Sequence, residues 1–400
     1  MHTPSRVSNT LLVLLAAGST IASAAPLQVP GDFPTIQAAI EAASSGDEIV
    51  VAPGTYTGPF RITKQIVVRS SNGAESTVLR GAGADPVVVI ESASGPGGTL
   101  SGFTVTGGDG QNGGGLFLAG EVAVLDCIVA ENNARNGGGA FVMGSPLLSG
   151  VRFVENSATS GGAVFAGPDS QALIDGCEFD RNTAQLGGGV FLSPPAAGET
   201  FAVIGNASFD NNAAEEGGAI MAVMASFEAD GASFRRNAAW VDGGAVRLVN
   251  SPASSLSNSE LRDNQADDRG GAASVGAGSS LTVESCEIQE NDASHGGGGL
   301  DAEQEGVLAV GNSSLWGNSP ADIGGNWQDL GGNSFDRPPS CRADLAQPYG
   351  VLDMADLMAF VGRFSAQDAS VDFVEPMGMF DLGDIIFFVN QYLGGCNNPQ

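Results

Sequence analysis

The sequence predicts an all-β protein: a parallel β-helix with three short strands per coil, an N-terminal capping helix and a small α-helical module at the C-terminus. Three observations carry this expectation. First, a large apolar residue, an Asn three places on and then paired glycines recur along the chain, as in FVENSATSGGAVF from Phe153 to Phe165 and FDRNTAQLGGGVF from Phe179 to Phe191. Second, the repeat Asn falls at Asn132, Asn156, Asn182, Asn212, Asn237, Asn264, Asn291 and Asn318, with spacings of 24, 26, 30, 25, 27, 27 and 27 residues. Unequal periods fit a solenoid that absorbs insertions in its loops while each coil buries its apolar face against its neighbours. Third, 59 glycines among 400 residues, with no Gly-X-Y period, fit a tight corner in every coil.

Along the chain, Arg6, an apolar run from Leu11 to Ala17 and Ala22-Ser23-Ala24 have the order of a secretory signal peptide over residues 1–24. That run falls far short of the roughly twenty residues needed to span a bilayer. No other segment reaches that length either. From Pro34-Thr35, Ile36, Ala39, Ile40 and Ala43 share one helical face, and Gly46 ends the helix. Such a helix can cover the open end of a solenoid, where strand edges would otherwise be unpaired. Short β-branched runs at Glu48–Ala52, Ile66–Arg69, Val78–Arg80 and Val87–Ile90 are the first strands.

Aligning the repeats on the Asn gives the anatomy of a coil. Three places before it stand Phe103, Val129, Phe153, Phe179, Phe209, Phe234, Leu261, Ile288 and Leu315, all bulky and apolar. Two places further back stand Ser101, Cys127, Val151, Cys177, Ala207, Ala232, Ser259, Cys286 and Ser313, all small. These are read as two inward positions of one strand with period two. Val124, Leu148, Ile174, Ile204, Leu256, Val283 and Val310 mark a second strand across a bend, and Ala163-Val164-Phe165 and its equivalents a third. The Asn side chain can donate and accept along the axis at a corner that lacks ladder partners. The glycines supply dihedrals closed to residues with a Cβ and let coils approach.

These residues resemble the FxxN and GGA(I/V/L) repeats of the chlamydial polymorphic outer membrane proteins and of related right-handed β-helix proteins in the pectin-lyase-like superfamily. The stretch DFPTIQAAIEAASSGDEIVVAPGTY, from Asp32 to Tyr56, is similar to the opening of pectinesterase-like β-helices. The resemblance implies a right-handed parallel β-helix over residues 25–335 and, from the polymorphic family, surface display and adhesion. That family's C-terminal barrel has no counterpart here. The pectinesterase Gln, Asp and Arg motifs do not recur downstream.

The last sixty residues are of another kind. Asp344, Asp353 and Asp356 recur at Asp372, Asp381 and Asp384, each shifted by 28, as do Pro348 at Pro376 and Gly350 at Gly378. After each loop, Leu357, Phe360, Val361 and Phe364, and then Ile385, Phe388, Val389 and Tyr392, form the apolar stripe of a short helix. The duplication resembles a type I dockerin, and more closely the GC-type dockerin-like tails of exported bacterial proteins, over a module of residues 341–400. It implies calcium bound by those six aspartates and a cohesin-like or surface partner. Each loop is one residue longer than the dockerin pattern, and a Pro stands in place of a usual oxygen ligand. The same Asp353 and Asp381 also suit helix N-caps.

A formal charge of −29 with one lysine, Lys64, argues against nucleic acid or an anionic membrane as partner. Five cysteines in an exported chain leave at least one unpaired. Cys127 and Cys177 are separated by the coil of Val151, hence by about 9.6 Å, beyond the roughly 7 Å reach of a disulfide. They and Cys286 are expected to remain buried thiols, with Cys341 paired to Cys396.

Function must come from sites. Lys64 reads as a solvated edge residue, and Arg235-Arg236 as a solvated strand face. A hydrolase of this fold would use neighbouring carboxylates, and the candidates are Asp242, Asp267, Asp268 and Asp301. Asp267-Asp268 lies where other coils carry Glu215-Glu216 or Gln185-Leu186 and reads as a varied acidic corner. His295 reads as a lone exposed histidine. The function expected from the sequence is that of an exported, non-catalytic β-helix that binds a glycan or a surface partner and is docked or retained by its tail. The competing class is a carbohydrate-active enzyme, a polysaccharide lyase or glycoside hydrolase. The two differ in one observable: only the enzyme needs carboxylates or arginines from at least three successive coils to meet in one groove.

Overall fold

The structure is a computed structural model and describes residues 25–83, 85–335 and 354–365, together with Ile385, Phe388 and Val389. Residues 1–24 and the loops of the tail lie outside the described residues. Among the described residues the chain is almost wholly β, a parallel β-solenoid with a short α-helix at Ile36–Ala42 and another at Met354–Ser365. One ladder, beginning at Gly54–Thr57, holds eleven strands, one from each coil.

A central coil shows the plan. Val190–Leu192 is followed by Phe201–Gly205 and Ser208–Asp210, and after the Asn212 corner the next coil opens at Ile220–Val223. Each strand pairs in parallel with its equivalent one coil on: Val190 with Ile220, Ile204 with Ala229, Phe209 with Phe234. Like residues therefore stack. Inside the coil, Phe153, Phe179, Phe209 and Phe234 form a column with ring centroids 5.2, 4.4 and 4.8 Å apart. All four are fully buried. Burial of each contributes roughly 1.5–3 kcal/mol relative to exposure.

The corners explain the glycine pair. Gly187 has φ +62°, in the left-handed region, and a Cβ built on Gly188 would stand 2.3 Å from the Gly218 carbonyl oxygen of the next coil. The first glycine turns the chain. The second lets coils stack. Two further corners carry left-handed residues that the sequence did not announce. Glu155, Arg181, Asn211 and Arg236, each just before a ladder Asn, have φ of 55°, 53°, 55° and 54°. Gly150, Gly176, Asn206, Gly231 and Asn258 have φ of 62°, 59°, 50°, 64° and 48° at the bend between the second and third strands. The small residues Cys127 and Cys177 follow that bend and precede the third strand, so they are buried corner residues and not strand positions as expected.

The capping helix α1, Ile36–Ala42, is N-capped by Thr35, whose hydroxyl accepts from Ala38 N at 3.2 Å. Lys64 departs from the solvated reading. Its Nζ donates to the carbonyls of Ile40, Glu41 and Ala43 at 3.0, 2.8 and 2.7 Å, which places its charge on the helix C-terminus. Residues Ser334–Gln400 belong to a second unit. Within it α2, Met354–Ser365, carries Phe360, which stacks on Phe388 with centroids 4.0 Å apart.

Candidate active site

The strand that follows the glycines turns alternate residues outward, and parallel stacking lines these up in one row. The row runs Arg61, Val89, Phe117, Phe141, Phe165, Phe191, Met221, Arg247, Ser274 and Asp301. Four stacked phenylalanines, with centroids 5.5, 5.2 and 5.3 Å apart, thus give way along one face to charged and polar groups.

Arg247 is the centre of that polar end. Its side chain is only 10% exposed, yet it meets three carboxylates from three coils: Glu216 at 3.3 Å, Asp242 at 3.2 Å and Glu303. It also donates to Ser274 Oγ at 2.7 Å. Asp242 accepts from the backbone N–H of Arg269 at 3.1 Å. Burial pushes the Asp242 carboxyl above the usual carboxylate range, with Arg247 opposing and Glu303 and Asp268 adding to the rise.

Asp301 stands two rungs beyond Arg247, about 9.6 Å along the axis. It is 2% exposed. Its Oδ1 accepts from Gly297 N at 2.9 Å, while its Oδ2 has no hydrogen-bond partner, and Arg269 lies 3.9 Å from that oxygen. Burial again raises the pKa, against the Gly297 N–H and Arg269. A carboxyl held this way keeps its proton more readily than a solvated one. At the lip, His295 Nδ1 is 2.9 Å from Asp268 Oδ1, so His295 is not alone.

Of the residues singled out by sequence, Asp242, Asp268, Asp301 and His295 are brought together, within three successive coils. Asp267 is exposed beside them. Arg235 and Arg236 are exposed on another face, paired with Glu260 and Asp210, as read. Arg247, Glu303 and the partner role of Glu216 were missed. The signal was present: Arg247 occupies the slot after Val246 where other coils carry Phe165, Phe191 or Met221. Among the described residues no group of His, Cys, Asp and Glu is arranged to hold a metal ion. Asp344, Asp353, Asp372, Asp381 and Asp384 lie outside the described residues, and Asp356 is placed only by its backbone, in the first turn of α2.

No family model matches the chain, and no curated protein does. Solved structures are similar in their coils. The A-module of a mannuronan C-5 epimerase from Azotobacter vinelandii is 13% identical, with a TM-score of 0.45 over 76% of this chain and 94% of that one. The catalytic unit of a GH87 α-1,3-glucanase from Streptomyces thermodiastaticus is 14% identical, with a TM-score of 0.48 over 79% and 71%. An alginate lyase from a Paenibacillus species is 14% identical, with a TM-score of 0.37 over 74% and 95%. All three are named as polysaccharide-active enzymes.

The expectation of a non-catalytic protein is corrected by the geometry of this face. The observable that separates the two classes falls on the enzyme's side: Glu216, then Asp242 and Arg247, then Arg269, then Asp301 and Glu303 come from four successive coils and line one face. The sequence misled because each residue looked like ordinary corner variation within its own repeat. Among the described residues no helix is long and apolar enough to cross a membrane.

Proposed function

We propose that this protein is an exported enzyme that hydrolyses a neutral polysaccharide, with Asp301 as proton donor and Asp242 as its carboxylate partner. The observation that supports it is the pair itself: two carboxyls two coils apart on one face of the solenoid, both raised by burial. Glycoside hydrolysis needs two carboxyl groups, one kept protonated to give its proton to the leaving oxygen. Asp301, with Oδ2 unpartnered, suits the donor. Asp242, ion-paired to Arg247, suits the group that stays ionised. Arg247 acts as a positioning residue that holds Glu216, Asp242 and Glu303 in one array. The Asp268–His295 pair at the lip is placed to bind sugar hydroxyls.

Electrostatics favours a neutral chain. Five carboxylates face two arginines across this cluster, on a molecule of charge −29, and a polyuronate would be repelled. Export through residues 1–24 and retention through the dockerin-like tail complete the proposal and rest on sequence. A panel of neutral and uronic polysaccharides, assayed for new reducing ends and for the ultraviolet absorbance of unsaturated products, tests it. Reducing ends from a neutral polymer without unsaturation are expected. Unsaturated products from a polyuronate would replace hydrolysis with elimination.

A further inference from the structure

The outer phenylalanine stack ends abruptly. Phe141 and Phe165 each stand between two rings, whereas Phe191 ends the stack on Met221 and Phe117 ends it on Val89. Val89 covers less than a ring would. Where the next ring of the stack would sit there is a cleft of about 290 Å³, floored by Val89, Pro86 and Phe117. Its walls are polar: Asp85, Gln111 and Asn112 line it, with the Arg61–Glu91 ion pair at 2.6 Å along the side.

The state of those polar groups points to a ligand. Asn112 Oδ1 accepts from Asn136 Nδ2 at 2.9 Å, which turns the Asn112 amide donors away from the row of coils, and they have no partner among the described residues. The side chains of Asp85 and Gln111 make no hydrogen bond there either. Arg61, by contrast, is fixed from two sides, by Glu91 and by Gln37 Oε1, which accepts from its backbone N–H at 3.0 Å. The cleft therefore joins an ion-paired arginine, a half-buried aromatic ring and solvent-facing donors and acceptors. An apolar floor with a few convergent polar groups is the composition of a small-ligand site.

We propose that this cleft is a second sugar-binding site, in which one neutral pyranose residue takes the place of the stack's missing ring. Its C–H face lies on Phe117, where the electron-rich ring face meets weakly positive hydrogens. Its hydroxyls donate to Asp85 and accept from Asn112 and Gln111. Five rungs separate Phe117 from Arg247, about 24 Å at roughly 4.8 Å per strand spacing. The site is thus remote from the charged cluster and lies on the same face, so a long glycan can occupy both.

Titration calorimetry on the full chain tests this, with maltoheptaose, cellohexaose, laminarihexaose and mannohexaose as probes and Asp301→Asn as background to prevent turnover. At least one probe should bind, and Phe117→Ala should weaken it at least tenfold. Asp85→Ala changes an exposed residue without touching the core, and should weaken the same probe severalfold even where Phe117→Ala fails to fold. Arg235→Ala, on another face of the solenoid, should leave this affinity within twofold. Binding by none of the four, or binding indifferent to both Phe117→Ala and Asp85→Ala, would overturn the proposal. Because the readout is binding and not turnover, a chain that binds through Phe117 and hydrolyses nothing would refute the catalytic reading alone.

Discussion

Asn182 donates from Nδ2 to Asn212 Oδ1 at 3.0 Å, and one coil earlier Asn156 donates to Asn182 Oδ1 at the same distance. The relation repeats from Asn132 to Asn318. Asn182 spends its whole capacity: Nδ2 donates to Phe153 O and Asn212 Oδ1, and Oδ1 accepts from the N–H and the side chain of Asn156. It is fully buried. Asn182→Ala should cost about 2–4 kcal/mol, because the Asn156 donors and the Phe153 carbonyl lose their partner in a dry interior. Denaturant unfolding measures this, and a loss below 1 kcal/mol, a typical net hydrogen bond, would deny the ladder its role.

Much of that ladder was legible in the sequence. FxxN fixes the inward Phe179 and Phe209 and the Asn beside them, and the glycine pair fixes the corner after it. The corners at Arg181 and Glu155 were not legible, since a left-handed Arg or Glu is imposed by stacking on its neighbours and leaves no mark on composition. The site was half legible. Asp242, Asp268 and Asp301 could be named as carboxylates, but nothing in one repeat shows that an outward slot in one coil adjoins a corner of the coil before it. Arg247 became visible only once the row was built.

Arg247→Met should be strongly destabilising at neutral pH, by about 3–5 kcal/mol, because Asp242 would be left as an uncompensated buried charge. Without the cation the Asp242 carboxyl, already raised by burial, rises further, so the folded state takes up protons more readily than the unfolded one. The deficit should shrink as pH falls and Asp242 protonates. Unfolding at neutral and at acidic pH reads this directly; a deficit independent of pH would mean that Arg247 contributes packing alone.

Cys127, Cys177 and Cys286 are free and buried. Burial pushes their thiols up to about 12, about 12 and about 11. With so little thiolate at neutral pH they should resist alkylation in the native protein and react at once when it unfolds. Peptide mapping without reduction should link Cys341 to Cys396, which lie outside the described residues, and should find no link between Cys127 and Cys177. That last link would contradict the coil register.

The tail aspartates remain a proposal from sequence. If Asp344, Asp353, Asp356, Asp372, Asp381 and Asp384 hold calcium through their carboxylate oxygens, calcium should stabilise the tail's unfolding transition in the full chain, because a ligand held only by the folded state raises its stability. Asp356→Ala with Asp384→Ala should abolish the shift. Scanning calorimetry that is identical in excess calcium and in excess chelator would reduce the six to helix caps and solvated charges.

The account rests most heavily on Asp301 and Asp242, and one comparison tests it: the rate of reducing-end release from a neutral polysaccharide by the wild type, Asp301→Asn and Asp242→Asn, each with its unfolding free energy. Asp301 has a folded-state pKa above its unfolded value, so its stabilising protonation is lost as pH rises through the folded pKa. Asp301→Asn should therefore match the wild type in acid and equal or exceed its stability at neutral pH. Loss of a general acid or its carboxylate partner typically costs about 10²–10⁴-fold in rate. The account predicts a loss of at least that size in both variants with the fold intact. Full activity in a folded Asp301→Asn would contradict it.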